Sequence, residues 1–190
     1  MTAYQVESPQ ALVAHLPSSF PAAVTIAVDG VDGAGKTRLG RALHQALRGT
    51  LLSLDDFIHQ NYGTYIPHLK VGELGTALTA AQRPVILEGI CMLAALDVLR
   101  VSPDLLIYVK RLDRFGEWED EETCDATEPP EVIIQREGAR AKPFSEALGA
   151  PALAEGESGL SPLREEVIRY HCTYQPARRA QIVYVIKPEA

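Results

Sequence analysis

Residues 23–48, AVTIAVDGVDGAGKTRLGRALHQALR, decide the fold because they combine a strand, a glycine-rich turn and a helix. The first six residues are apolar and rich in β-branched side chains, which is typical of a strand buried on both faces. Residues 30–37, GVDGAGKT, match the pattern G-x-x-x-x-G-K-[ST]. After them, Leu39, Leu43 and Leu47 recur at helical spacing and predict an amphipathic helix. This is the order of elements that a phosphate-binding loop requires.

The residue types of this loop suit the binding of a triphosphate. Glycines let the backbone curl so that successive N–H groups point at phosphate oxygens, and the helix N-terminus adds the positive end of its dipole. We expect Lys36 to bridge the β- and γ-phosphates and the Thr37 hydroxyl to bind Mg²⁺. The predicted nucleotide-binding residues are Gly30, Asp32, Gly33, Ala34, Gly35, Lys36, Thr37 and Arg38.

The rest of the chain alternates predicted strands and helices. Further strands are predicted at residues 51–54, 84–87, 104–109 and 181–186, and helices at residues 73–82, 91–99 and from Pro162 onward, with Ser161 as the N-cap. This alternation predicts a three-layer α/β domain with a five-stranded parallel sheet. We expect one domain over residues 1–190, with its core at about 20–110 and 161–186 and an irregular, lid-like segment at about 111–160.

Acids follow three of the predicted strands: Asp29 leads directly into the glycine-rich loop, and the other two are Asp55 and Glu88. Asp55 comes directly after the strand that ends at Leu54, and Glu88 comes directly after the strand that ends at Leu87. In an open parallel sheet, ligands bind beyond the carboxyl ends of the strands. A carboxylate there can hold Mg²⁺ or its waters, and one near the γ-phosphate can accept the proton of an attacking hydroxyl. Asp55 and Glu88 are therefore predicted to face the phosphates held by the loop.

Composition and charge exclude several classes of function. Hydrophobic residues make up 46% and charged residues 23% of the chain, which excludes wholesale disorder. The net charge is −7, but eight acids lie within residues 117–131, where there is no Lys or Arg. Removing these eight charges leaves +1 on the rest of the chain. The sequence thus predicts no extended basic face and no nucleic acid polymer as a partner.

The sequence also predicts a cytoplasmic protein. No apolar run approaches the roughly 20 residues that span a bilayer, and the first ten residues lack the basic and apolar regions of a signal peptide. The three cysteines, Cys91, Cys124 and Cys172, are an odd number at wide spacing. They are interpreted as reduced thiols rather than as disulfides or zinc ligands. The oligomeric state stays open, including a homo-oligomer.

Four stretches of the chain resemble the uridine kinase and phosphoribulokinase group of P-loop kinases: IAVDGVDGAGKTRLG, LSLDDFIH, VILEGI and RYHCTYQPARRAQIVYVI. The resemblance implies a kinase that uses ATP and Mg²⁺ and phosphorylates a hydroxyl of a small molecule, such as the nucleosides uridine or cytidine. The D-x-F signature of that group matches residues 55–57, which implies that Asp55 activates the acceptor hydroxyl. Its E-G pair matches Glu88-Gly89, which implies a carboxylate linked to Mg²⁺, and Asp55 is a further candidate ligand.

The resemblance also implies substrate and lid residues. The candidate substrate residues are Asp55, Phe57, His59, Tyr62, Tyr65 and Glu88. The group carries an arginine-rich lid after its fourth core strand, and Arg111 and Arg114 stand nearest to that place. Such an arginine would neutralise the transferring phosphoryl group. The chain departs from the group at Ile58, where Tyr or His is usual, and in the acidic run that follows Arg114.

Two other functions stay open on the sequence alone. The loop GVDGAGKT also looks like that of thymidylate kinases, which phosphorylate nucleoside monophosphates, but the third strand ends in Glu88 and not in an Asp-Arg pair. The second alternative is a regulatory protein that binds ATP without transferring phosphate. That protein would not need Asp55.

Overall fold

The computed structural model describes residues 3–59, 63–148 and 158–188, and its described strands form one parallel sheet. The strands are β1 (Tyr4–Val6), β2 (Thr25–Asp29), β3 (Thr50–Ser53), β4 (Val85–Glu88), β5 (Leu105–Arg111) and β6 (Ile182–Ile186). Their order is β1-β6-β5-β2-β4-β3. The prediction of five strands is thus wrong by one: the sheet has six, because β1 pairs with β6 at the edge.

The helices connect these strands and cover the sheet. They are α1 (Pro9–Ser19), α2 (Lys36–Leu47), α3 (Val71–Ala80), α4 (Met92–Leu99), α5 (Glu121–Cys124), α6 (Pro130–Leu148), α7 (Pro162–Tyr174) and α8 (Pro176–Arg179). Helix α7 begins as the sequence predicts, because the Ser161 hydroxyl accepts a hydrogen bond from the Arg164 N–H at 3.2 Å and Pro162 is the first helical residue. Among the described residues, no helix has the length and apolar character needed to cross a membrane.

The strand order places the site. The chain leaves β2, passes over β4 through α2 and enters β3, whereas α4 connects β4 to β5 on the other side of β2. Right-handed crossovers therefore put α2 on one face of the sheet and α3 and α4 on the other. The connections diverge at the carboxyl ends of β2 and β4, which is the topological switch point where ligands bind in such sheets.

The acidic segment of residues 117–131 is paired with arginines of the helices that follow it. Five of its acids lie within 4.0 Å of an arginine: Asp120 with Arg164, Glu122 with Arg140, Asp125 with Arg178, Glu128 with Arg136, and Glu131 with Arg169. Helix α6 occupies 19 residues of the segment 111–160, which the sequence analysis describes as irregular. The lid-like role of residues 111–160 stays a prediction.

Candidate active site

Residues 30–35 form a tight loop between β2 and α2, and Lys36 and Thr37 are the first two residues of α2. Gly33 and Gly35 have φ values of 71° and 100°, in the region that favours glycine. A Cβ atom at Gly35 would also lie 2.6 Å from Ile186 Cδ1, so a side chain here would require that methyl group to move. Helix α2 begins at Lys36, directly after this turn. Its first N–H groups, which have no partner within the helix, therefore lie at the end of the loop.

The Lys36 side chain is buried inside the loop. Its exposed fraction is 7%, and Nζ donates a hydrogen bond to the Val31 carbonyl at 2.7 Å. Burial lowers the pKa of Lys36, while the negative charges of Asp29 and Glu88 act in the opposite direction. A buried ammonium among carboxylates at a helix N-terminus is suited to receive polyphosphate oxygens.

Glu88 stands at the end of β4 and faces the start of α2. Its Oε2 accepts a hydrogen bond from the Thr37 hydroxyl at 3.1 Å. Its Oε1 is buried and has no hydrogen-bond partner in the part of the chain that the structure describes. A buried carboxylate oxygen without a partner is costly unless a cation or a water binds it. The pair of Thr37 and Glu88 therefore fits the oxygen ligands that Mg²⁺ prefers.

No cluster of three or more His, Cys, Asp or Glu side chains suited to a metal ion occurs among the described residues. A metal at Thr37 and Glu88 would thus need further ligands from outside the protein. Mg²⁺ is usually held in this way, by one or two protein groups together with substrate phosphates and waters.

Asp55 lies at the start of the short 3-10 turn Leu54–Phe57, which follows β3. Its Oδ1 accepts a hydrogen bond from the Tyr65 hydroxyl at 2.6 Å. The Tyr65 side chain is buried, and burial together with the Asp55 carboxylate raises the pKa of its phenol. Tyr65 is thus a neutral hydrogen-bond donor that holds one oxygen of Asp55.

One cavity brings five of the eight predicted loop residues together with both acids. It has a volume of about 450 Å³ and is lined by Asp32, Gly33, Gly35, Lys36, Thr37, Asp55, Tyr65, Glu88, Ile90 and Leu163. Ile90 and Leu163 were not among the predicted site residues, since single apolar residues carry no signal of a ligand. A smaller cavity of about 220 Å³ adjoins it, sharing Asp32, Ile90 and Leu163 and adding Arg164 and Asp120 to its lining.

The two predicted lid arginines lie beside a different cavity. Arg111 and Arg114 line a space of about 730 Å³ together with Gly35 and Arg38. Gly35 lines both spaces, whereas Asp55 lines only the cavity of about 450 Å³. The catalytic role of both arginines stays a prediction.

The remaining predicted residues that the structure describes do not line the cavity that contains Asp55. Phe57 is half-buried, and its carbonyl accepts a hydrogen bond from the Lys70 N–H at 2.7 Å. The His59 N–H donates to the His68 carbonyl at 3.0 Å. Neither side chain lines the cavity that contains Asp55. Tyr62 lies outside the described residues. Gly30 and Ala34 are buried parts of the loop backbone.

Asp29 is a buried acid that was not among the predicted site residues, and it holds the start of the loop by hydrogen bonds. Asp29, the last residue of β2, is fully buried, and burial raises its pKa to about 6. It accepts hydrogen bonds from the Gly30 N–H at 2.8 Å and from the Tyr170 hydroxyl. The Tyr170 hydroxyl in turn accepts from the Leu93 N–H at 3.1 Å. The loop is thereby tied to α4 and α7.

Gly89 allows the ends of β3 and β4 to approach each other. A Cβ atom at Gly89 would lie 2.8 Å from the Cβ of Leu54, which is fully buried. We expect Gly89→Ala to lower the free energy of unfolding by about 1–3 kcal/mol, because this core has no room for a methyl group. Gly72→Ala is the control, since nothing lies within 4 Å of its Cβ. Urea unfolding measures both, and equal stabilities would contradict the predicted crowding.

The strand, loop and helix, with a buried lysine and a Thr–Glu pair beside them, define a P-loop protein of the α/β class. No protein-family model and no curated protein matches the sequence. Among solved structures, the chain is similar to a protein described as a possible uridine kinase from Bacillus stearothermophilus. The identity is 15%, 92% of this chain and 98% of that chain are covered, and the TM-score is 0.47.

Two shikimate kinases are also similar. The enzyme from Acinetobacter baumannii, solved in complex with shikimate, has 19% identity and a TM-score of 0.40, with 91% of this chain and 88% of that chain covered. The enzyme from Bacteroides thetaiotaomicron has 19% identity and a TM-score of 0.35, with 86% of each chain covered. These likenesses concern the fold.

Proposed function

We propose that this protein is an ATP-dependent phosphotransferase that moves the γ-phosphoryl group to a hydroxyl of a small, uncharged molecule, with a nucleoside such as uridine or cytidine as the acceptor. One observation carries this proposal: Asp55 and Glu88, at the ends of neighbouring strands, line the same cavity as the loop residues Lys36 and Thr37. A protein that only binds nucleotide does not need an exposed carboxylate opposite its phosphate loop.

The donor side consists of the loop. Its backbone N–H groups and the Lys36 ammonium would bind the phosphates and stabilise the charge that develops during transfer. Thr37 and Glu88 would hold Mg²⁺, which neutralises charge on the β- and γ-phosphates when it is bound. Glu88 is already oriented for this task by the Thr37 hydroxyl.

The acceptor side consists of Asp55 and the walls around it. Because Tyr65 binds Oδ1 of Asp55, we propose that Oδ2 accepts the proton of the acceptor hydroxyl as it attacks phosphorus. The proton would thus move to Asp55, the acceptor oxygen would form the new bond to the γ-phosphorus, and the bond from that phosphorus to the oxygen bridging the β- and γ-phosphates would break, so that ADP leaves with that oxygen. Tyr65, Ile90 and Leu163 offer apolar surface on which a ring could pack.

The charges of the cavity favour an uncharged acceptor. Its described lining contains the carboxylates of Asp32, Asp55 and Glu88, and Lys36 is the one cation among these lining residues. Lys36 would be used by the donor phosphates. The neighbouring Arg164 is already near Asp120 and Glu137, at 4.0 and 3.8 Å. A phosphate on the acceptor would therefore meet like charges, which disfavours a monophosphate kinase.

The proposal is tested by measuring ADP release across nucleosides, sugars, pantothenate and nucleoside monophosphates, each with ATP and Mg²⁺. We expect a neutral acceptor, a nucleoside first, to raise ADP release well above the rate without acceptor. ADP release that is fastest with a nucleoside monophosphate would contradict the proposal that the acceptor is uncharged. Tight ATP binding without ADP release on any acceptor would contradict the proposal that the protein is a phosphotransferase.

Removing the Glu88 charge should weaken the response to Mg²⁺. We expect Glu88→Gln to raise the Mg²⁺ concentration for half-maximal ATP turnover by about 10- to 100-fold, because a neutral amide is a poorer partner for the metal and its waters. Glu73→Gln is the matched control, since that carboxylate is exposed on α3. A Mg²⁺ titration of ADP release measures the effect. Coincident curves for the two variants would show that Glu88 does not assist the metal.

A further inference from the structure

A carboxylate on α7 holds the backbone of the segment that carries Tyr65. The two oxygens of Glu166 accept hydrogen bonds from the Tyr65 and Ile66 N–H groups, the latter at 2.8 Å. Two consecutive backbone donors thus share one side chain from a helix 100 residues further along the chain. Hydrogen bonds to a charged acceptor are stronger than those between neutral groups. Glu166 is therefore a specific anchor for this turn.

Tyr65, whose backbone Glu166 holds, contacts the candidate base Asp55 directly. The Tyr65 hydroxyl donates to Asp55 Oδ1 at 2.6 Å, and Tyr65 as a residue is only 6% exposed. A buried ring with a fixed backbone has little freedom to reorient. Asp55, in contrast, is an exposed side chain on a short 3-10 turn. The contacts thus run from Glu166 to the Tyr65 backbone, through the Tyr65 ring, to the carboxylate of Asp55.

We infer that Glu166 is a positioning residue: through Tyr65 it fixes the orientation of the Asp55 carboxylate toward the acceptor hydroxyl. This inference rests on the proposed phosphotransfer. Glu166 is not among the residues that line the cavity, so it acts through another residue and not on the substrate. Small displacements of a reacting group reduce rates strongly, because transfer requires a narrow range of geometries.

The first test replaces the carboxylate by an amide of the same shape. In Glu166→Gln, one oxygen can still accept a backbone N–H, but the NH₂ group faces the other N–H and repels it. We expect kcat to fall about 10- to 100-fold, with the KM for ATP unchanged because the phosphate loop is not contacted. Glu165→Gln is the matched control on the same helix, where the side chain accepts from the Ser158 hydroxyl. Equal kcat values for the two variants would overturn the inference.

A double-mutant cycle separates positioning from a general structural effect. If Glu166 acts through Tyr65, then Glu166→Gln should cost little further kcat in a Tyr65→Phe background, where the hydroxyl that contacts Asp55 is gone. A structural effect would lower kcat by the same factor in both backgrounds. Losses that multiply would therefore overturn the inference.

Hydrogen exchange gives a readout that does not depend on activity. The Tyr65 and Ile66 amides should exchange faster in Glu166→Gln than in the wild type, whereas those of α4 should not change. Unchanged exchange at both amides would overturn the anchor itself. A wild-type protein that phosphorylates no acceptor would instead overturn the proposed function, so the two failures are distinguishable.

Discussion

Asp55→Asn should lower kcat for acceptor phosphorylation by about 10²- to 10⁴-fold, the usual contribution of a general base. The amide cannot take the proton of the attacking hydroxyl, whereas its oxygen can still accept the hydrogen bond from Tyr65. The Kd for ATP should stay unchanged, because the loop of residues 30–37 binds the donor. ADP release with the best acceptor measures kcat, and calorimetric titration measures the Kd.

Asp56→Asn is the control for this experiment. Asp56 is the next residue, it is also an exposed carboxylate, and it is not among the residues that line the cavity. It should keep the wild-type kcat. If Asp55→Asn keeps full activity on the best acceptor, Asp55 is not the base. If both variants lose activity equally, the loss arises from the charge or the fold of the turn and not from proton transfer.

The central part of the fold follows from sequence because its signals are local. Strands β2, β4 and β5 are short apolar runs between polar turns, and their buried cores lie where the pattern predicts them. Strand β1 escaped prediction because it has three residues and only Val6 among them is buried. An edge strand of this length shows no alternation, and its pairing with β6 joins two distant parts of the chain.

The candidate site also contains residues that local sequence predicts and residues whose contacts join distant parts of the chain. Asp55 and Glu88 could be placed from sequence because an acid at the end of a parallel strand has only one edge of the sheet to face. The role of Glu166 could not be predicted from sequence, because its partners are the backbone N–H groups of residues 65 and 66. Any residue type other than proline supplies such a group, so the sequence carries no signal of the contact. Arg111 and Arg114 were predicted from the resemblance, as the arginines nearest to the lid of that group, and the structure puts them beside Gly35 and Arg38.

Lys36→Met should lower kcat/KM for ATP by about 10²- to 10³-fold, the loss that follows removal of one preorganised charge from a transition state. Methionine keeps much of the length and shape of the side chain but cannot bind phosphate oxygens. Lys70→Met is the control, because that ammonium is partly exposed, lies 3.9 Å from Glu73 and does not line the cavity that contains Lys36. Steady-state ADP release at varied ATP measures kcat/KM for both variants.

Two further variants at Lys36 separate the effect of losing the positive charge from an effect on the backbone of the loop. Lys36 Nζ also holds the Val31 carbonyl at 2.7 Å, so its removal could disturb the loop backbone as well as the phosphate contact. Lys36→Arg keeps a cation but cannot fit its planar group into a site built around a compact ammonium, and should therefore lose activity too. In Lys36→Gln, the side-chain amide has no charge but can still donate a hydrogen bond to the Val31 carbonyl. If Lys36→Gln regains the wild-type kcat/KM, the carbonyl contact and not the positive charge is what the reaction needs, and residues 30–37 are not a triphosphate site.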